Sequence, residues 1–149
     1  MRIEDEIQQK EFLDPYNKAI VNILFTQSYI VTNQNSLLKP FGLSPEQYNV
    51  LRILRGQNGN PITVSSIQDR MLNKMSNASR LVEKLKQKGL VNREECTLDR
   101  RQVDIMITDK GLDLLKQLHG EILNQNQNLI KLDNEEVNQL NLMLDKLRG

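Results

Sequence analysis

Ser76-Asn77-Ala78-Ser79-Arg80-Leu81-Val82-Glu83-Lys84-Leu85-Lys86-Gln87-Lys88-Gly89-Leu90-Val91 is the stretch whose reading decides the fold. Ala78, Leu81, Val82 and Leu85 recur at helical spacing and make one apolar stripe. Ser76 or Asn77 is placed to cap that helix, and Gly89 stops it. Upstream, Thr63 is a cap for a short helix over residues 64–71, with Pro61-Ile62-Thr63 as a short extended piece before it. The break at Leu72-Asn73-Lys74 separates the two helices. Two short helices joined by a three- to four-residue turn form a helix-turn-helix unit.

Downstream the period changes. Leu90-Val91-Asn92-Arg93 reads as a short strand, and residues 102–107 alternate, with Val103, Ile105 and Ile107 on one face. The polar residues 94–101 lie between them. A hairpin directly after the second helix is the wing of a winged helix-turn-helix. Further out the chain is helical again. Residues 14–38 carry Ile20, Ile23, Leu24, Ile30, Val31, Leu37 and Leu38 in one stripe, ending where Pro40 disfavours helical geometry in Lys39. Ser44-Pro45-Glu46-Gln47 opens a helix bearing Tyr48, Leu51 and Leu54, with Ser44 and Gln47 as a capping box. After Thr108-Asp109-Lys110-Gly111 a long helix carries Leu112, Leu115, Leu118, Ile122, Leu129 and Ile130. Asp133 caps a last one with Val137, Leu140, Leu144 and Leu147.

The expected architecture is mainly α with a small β-hairpin wing. It is one domain over residues 1–149, with a winged helix-turn-helix lobe at about 44–108 and dimerisation helices at about 10–40 and 109–149. The terminal stripes exceed what one small lobe can cover, so a two-fold homodimer is expected. The 149 residues include seven Gly and four Pro, too few for long interrupted loops. A charged start without an apolar run gives no secretory signal, and no stretch is apolar enough to span a bilayer. With a single cysteine, Cys96, no internal disulfide forms, and a cytoplasmic protein without membrane contact is expected. Net charge is only +1, but residues 70–101 hold nine basic side chains against four acidic. The first sixteen residues hold two against five. A basic middle between neutral or acidic ends marks a localised polyanion contact.

The sequence resembles the MarR (multiple antibiotic resistance regulator) family over nearly its whole length. Residues 39–48, Lys-Pro-Phe-Gly-Leu-Ser-Pro-Glu-Gln-Tyr, look like that family's connector and second helix. Residues 79–85 with Lys88-Gly89-Leu90-Val91 resemble its recognition helix and exit strand. Asp99-Arg100-Arg101 and Thr108-Asp109-Lys110-Gly111 resemble its wing tip and the start of the next helix. The resemblance implies a dimeric, sequence-specific DNA-binding transcription regulator, a ligand-responsive repressor on a pseudo-palindromic operator. The branch sensing organic hydroperoxides uses a reactive cysteine near the chain start. Residues before Ser44 hold none, and Cys96 falls in the wing, where an incidental surface thiol is expected.

Ser76, Asn77, Ser79 and Arg80 occupy the end of the recognition helix that enters a major groove. Arginine pairs with guanine, asparagine with adenine, and serine with either. Lys74 and Lys84 are candidates for phosphates. Arg100 and Arg101 are candidates for a flanking minor groove, with Asp99 holding one of them. Tyr16, Phe25, Tyr29 and Tyr48 are candidates for a pocket holding a phenolic-type ligand, the class the resemblance implies. No cofactor, metal or enzymatic activity is expected: His119 has no second His or Cys for a metal site, and no phosphate loop or nucleophile motif occurs. The alternative is a winged-helix module that binds protein and not DNA, with little affinity for duplex.

Overall fold

The computed structural model describes residues 1–95 and 103–149. The chain divides into two compact units, Met1–Leu115 and Lys116–Gly149.

The first unit opens with α1 (Ile3–Glu6), which buries Ile3. Helix α2 (Pro15–Leu38) starts where Asp14 Oδ1 accepts the Asn17 N–H at 2.7 Å and Pro15 takes the first helical position. Lys18 Nζ, on α2, donates to Glu4 Oε1 at 2.6 Å. That hydrogen bond, with help from the backbone and from Arg2, lowers the Glu4 carboxyl to about 2. Because the folded carboxyl titrates below its ordinary value, the clamp is fully present above about pH 4.5 and is lost as pH falls towards about 2. A carboxyl titration followed by NMR should place the Glu4 midpoint at about 2. Lys18→Met should raise it part of the way to the ordinary carboxylate range, since the backbone and Arg2 still act on it. An unchanged midpoint in that variant would remove Lys18 as the cause.

The end of α2 lies where the sequence puts it, but for another reason. Lys39, before the proline, keeps helical dihedrals, and Lys39–Phe41 form a 3-10 turn. The chain reverses instead at Gly42, whose φ is +68°. There the Gly42 N–H donates to the Lys39 carbonyl at 3.0 Å and the Leu43 N–H to that of Leu38 at 3.2 Å. This is a Schellman closure, with Leu38 and Leu43 both buried beside it. Helix α3 (Pro45–Arg55) has the full capping box, with Gln47 N–H on Ser44 Oγ at 3.2 Å and Ser44 N–H on Gln47 Oε1 at 3.3 Å. It buries Val50, Leu51 and Leu54.

Strand β1 (Ile62–Thr63) leads into α4 (Val64–Arg70), which is capped by Thr63 Oγ1. Helix α5 (Ala78–Gln87) follows. Its last turn closes as α2 does, with Gly89 N–H on the Lys86 carbonyl and Leu90 N–H on that of Leu85. Strands β2 (Val91–Glu95) and β3 (Val103–Ile107) are antiparallel, pairing Val91 with Ile107 and Arg93 with Ile105. The expected hairpin is part of a three-stranded sheet ordered β1-β3-β2, because Ile62 pairs with Ile105 and Thr63 with Asp104. Ile67, Met71, Val82, Leu85, Val91 and Ile105 form the core beneath it.

Helix α6 (Asp109–Leu129) begins where Thr108 Oγ1 accepts the Gly111 N–H at 3.1 Å and donates to the Gly89 carbonyl at 2.8 Å. This explains the Thr-x-x-Gly spacing. A Cβ at position 111 would lie 2.5 Å from the Leu90 carbonyl oxygen and 2.7 Å from Ile107 Cγ1, so only glycine lets the helix start against the sheet. The second unit holds the rest of α6 and α7 (Asn134–Arg148). Asp133 and Glu136 form a second capping box at 2.9 Å in both directions. No residue of α7 is buried: Val137, Leu140 and Leu144 are half-buried, and Leu142, Met143 and Leu147 are exposed.

Candidate nucleic-acid interface

Helix α5 is divided lengthwise. Ala78, Val82 and Leu85 are buried, while Ser79, Arg80, Lys84 and Lys86 are exposed. The division follows from the 3.6-residue repeat, which sends positions 78, 82 and 85 to the core and turns 79, 80 and 84 away from it. Neither Arg80 nor Lys84 has an ion-pair partner among the described residues. Two exposed cations on one face, without local acids to neutralise them, suit a polyanion. Glu83, on the same helix, is turned to Arg93 of β2 at 3.7 Å.

Of the two candidate caps, Asn77 holds the position. Its Oδ1 accepts the Arg80 N–H at 2.9 Å, and the side chain is exposed. Ser76 Oγ is instead shielded from solvent and has no hydrogen-bond partner among the described residues. The hydroxyl that the sequence offers to a base is thus withdrawn from the surface. Lys74 is exposed on the turn, with Nζ on the Asp69 carbonyl. Asp99, Arg100, Arg101 and Cys96 lie outside the described residues.

Side chains that the sequence reading passed over fix where this face sits. Gln68, in the last turn of α4, accepts the Ala78 N–H on Oε1 at 3.0 Å and donates from Nε2 to the Lys74 carbonyl at 3.0 Å. One amide thereby ties α4 to the turn and to the first residue of α5. Asn49, on α3, accepts the Leu72 N–H at 2.9 Å. At the other end of α5, Lys88 donates to Gln47 Oε1 at 2.9 Å and to the Gly42 carbonyl, so it is a strut and not part of the basic face. Lys110 donates to the Lys88 carbonyl at 2.8 Å. Gln47 is only 6% exposed, and its Oε1 accepts from both Ser44 N–H and Lys88.

The four aromatic candidates do not converge equally. Phe25 and Tyr29 are one turn apart on α2, but Tyr16 is nine residues before Phe25, about half a turn away round the helix. Tyr16 is 81% exposed. Tyr48, on α3, is half-buried, and its hydroxyl accepts from Arg52 Nη1 at 3.0 Å. Among the described residues no helix is long and apolar enough to cross a membrane. None of them forms a group of three or more His, Cys, Asp or Glu that could hold a metal ion.

A helix-turn-helix backed by a three-stranded antiparallel sheet, with long helices at both chain ends, is a winged-helix arrangement. Residues 43–103 match the sequence profile of the MarR family. The helix-turn-helix lobe thus carries the MarR-family profile. The chain is 27% identical over 106 residues to the transcriptional repressor MprA of Escherichia coli (strain K12), covering 70% of this chain. That alignment spans 60% of the length of MprA. It is 29% identical over 128 residues to the HTH-type transcriptional regulator MhqR of Bacillus subtilis (strain 168), covering 84% of this chain and 87% of MhqR. The fold matches a mutant of E. coli MarR crystallised with operator DNA at a TM-score of 0.79 and 25% identity, over 91% of this chain and 99% of that one. The MarR fold thus accounts for both the lobe and the terminal helices.

Proposed function

We propose that this chain belongs to the MarR family and is a sequence-specific DNA-binding transcription regulator of the cytoplasm, a repressor that acts as a homodimer on a pseudo-palindromic operator. Its work is binding and not catalysis. The observation that carries this reading is the outer face of α5: Ser79, Arg80 and Lys84 stand clear of the core on a helix whose start is pinned by Gln68 and capped by Asn77. Arg80 reads a base edge, Lys84 and Lys74 meet phosphates, and Arg100 and Arg101, which follow Asp99 in sequence, are assigned to a flanking minor groove. The crystallised complex of E. coli MarR with operator DNA supports this use of the fold.

The homodimer is supported by apolar side chains left in water. Tyr16, Ile20, Ile23 and Leu24 of α2, and separately Leu142, Met143 and Leu147 of α7, are exposed. A second copy is the natural cover for such surface. A phenolic-type ligand acting beside Phe25, Tyr29 and Tyr48 is part of the same proposal. Tyr16 contributes less to that site than the sequence suggests, since it projects from another side of α2.

Selection from a random duplex pool by the purified protein, followed by sequencing, tests the reading. Recovered fragments should share an inverted repeat with half-sites about one helical turn apart. Recovery without any shared repeat would remove the sequence-specific regulator.

A further inference from the structure

The turn between α4 and α5 presents a feature that base and phosphate contacts by polar residues leave unused. Leu72 is 88% and Met75 91% exposed, and beyond residue 13 no other large apolar side chain among the described residues is as exposed. Their exposure is not looseness. Asn49 holds the Leu72 N–H, and Asn73 Oδ1 accepts the Met75 N–H at 3.0 Å. The Ser76 N–H reaches the Asn73 carbonyl at 3.1 Å, and Gln68 holds the Lys74 carbonyl. The backbone is fixed at almost every step, and it holds two apolar side chains out into water.

We infer that Met75, with Leu72 beside it, packs against thymine C5-methyl groups in the major groove and is a specificity-determining residue of this protein. The inference rests on the DNA-binding reading above and extends it to base identity. Charge selects the occupant. The turn itself carries exposed Lys74 and lies in sequence between exposed Arg70 on one side and Arg80 and Lys84 on the other, with Asp69 the one exposed acid beside Arg70. The nearby acid Glu83 is turned to Arg93. A surface that is cationic around an apolar pair complements a polyanion with an apolar spot, and the thymine methyl is the apolar group that the major groove displays. Met75 stands two residues before the cap of α5, at the helix end that enters the groove. A methionine thioether is flexible and polarizable, which suits contact with a methyl whose position shifts with local DNA shape.

The test removes only the methyl. In the duplex recovered by selection, each thymine is replaced in turn by deoxyuridine, and affinity is measured for the parent, Met75→Ala, Met75→Leu and Leu72→Ala. The parent should lose about fourfold at one thymine in each half-site, the value of one buried methyl. Met75→Ala should bind the unmodified duplex more weakly and lose the penalty at that thymine alone. Met75→Leu should keep it, and Leu72→Ala should reduce it there or at the adjacent base pair. Both side chains are exposed, so melting temperatures should be unchanged. Full retention of the deoxyuridine penalty in Met75→Ala would overturn the inference while leaving DNA binding intact. So would parental affinity of Met75→Ala for the unmodified duplex, which would assign the pair to a protein partner. Failure of the parent to bind any duplex would overturn both readings together.

Discussion

Affinity for duplex DNA should fall by about 10³–10⁵ between about 50 and about 200 mM salt, as expected for a dimer that neutralises roughly 6–10 phosphates. Each lobe brings exposed Lys74, Arg80, Lys84 and Lys86, and the sequence adds Arg100 and Arg101. Not every cation of the basic middle takes part. Lys88 is occupied by Gln47 and the Gly42 carbonyl, and Arg93 faces Glu83, so the phosphate count is smaller than the sequence charge suggests. Lys84→Gln should lower the slope of log affinity against log salt by about 0.9 for each phosphate left without its cation, with base preference unchanged. Lys88→Gln should leave that slope nearly unaltered while lowering stability, because it strikes a strut. A flat salt response in the parent would favour the protein-binding module over the DNA regulator.

The parts of this molecule that were legible in the sequence are those written in local chemistry. Ser44 with Gln47, Thr63 and Asp133 each sit within three residues of the backbone group they cap, so spacing alone reveals them. The apolar stripe of α5 is legible for the same reason, and with it the outward position of Arg80. What was not legible is held by long-range bonds. Gln68 reaches ten residues to Ala78, Asn49 reaches 23 to Leu72, and Lys88 reaches 41 to Gln47. An amide between Ile67 and Met71 carries no spacing that marks it as the joint of the helix-turn-helix. The end of α2 shows the reverse: the sequence placed it correctly through Pro40, whereas the turn is made at Gly42. Tyr16 grouped with Phe25 and Tyr29 by composition, and helical geometry separates it from them.

Arg80→Ala should weaken operator binding by about 1–3 kcal/mol per half-site and relax base preference at one position in each half. The reason is geometric. Arg80 lies in the first turn of α5, and its own N–H is fixed to the Asn77 cap at 2.9 Å. Gln68 in turn fixes the start of the helix from α4. The guanidinium therefore leaves from a backbone whose position is set on two sides, and it carries no ion pair among the described residues to break before binding. A rigid fork from a rigid base suits bidentate pairing with guanine, and lysine at the same place would supply charge without the fork. Arg80→Lys should thus fail to recover the base preference. Because the side chain is exposed, the melting temperature of either variant should barely move, which separates lost recognition from lost folding. The deciding measurement is affinity across operators altered one base pair at a time. If Arg80→Ala lost the same factor at every sequence, the arginine would be a phosphate contact, and base reading would fall to Ser79 and Asn77.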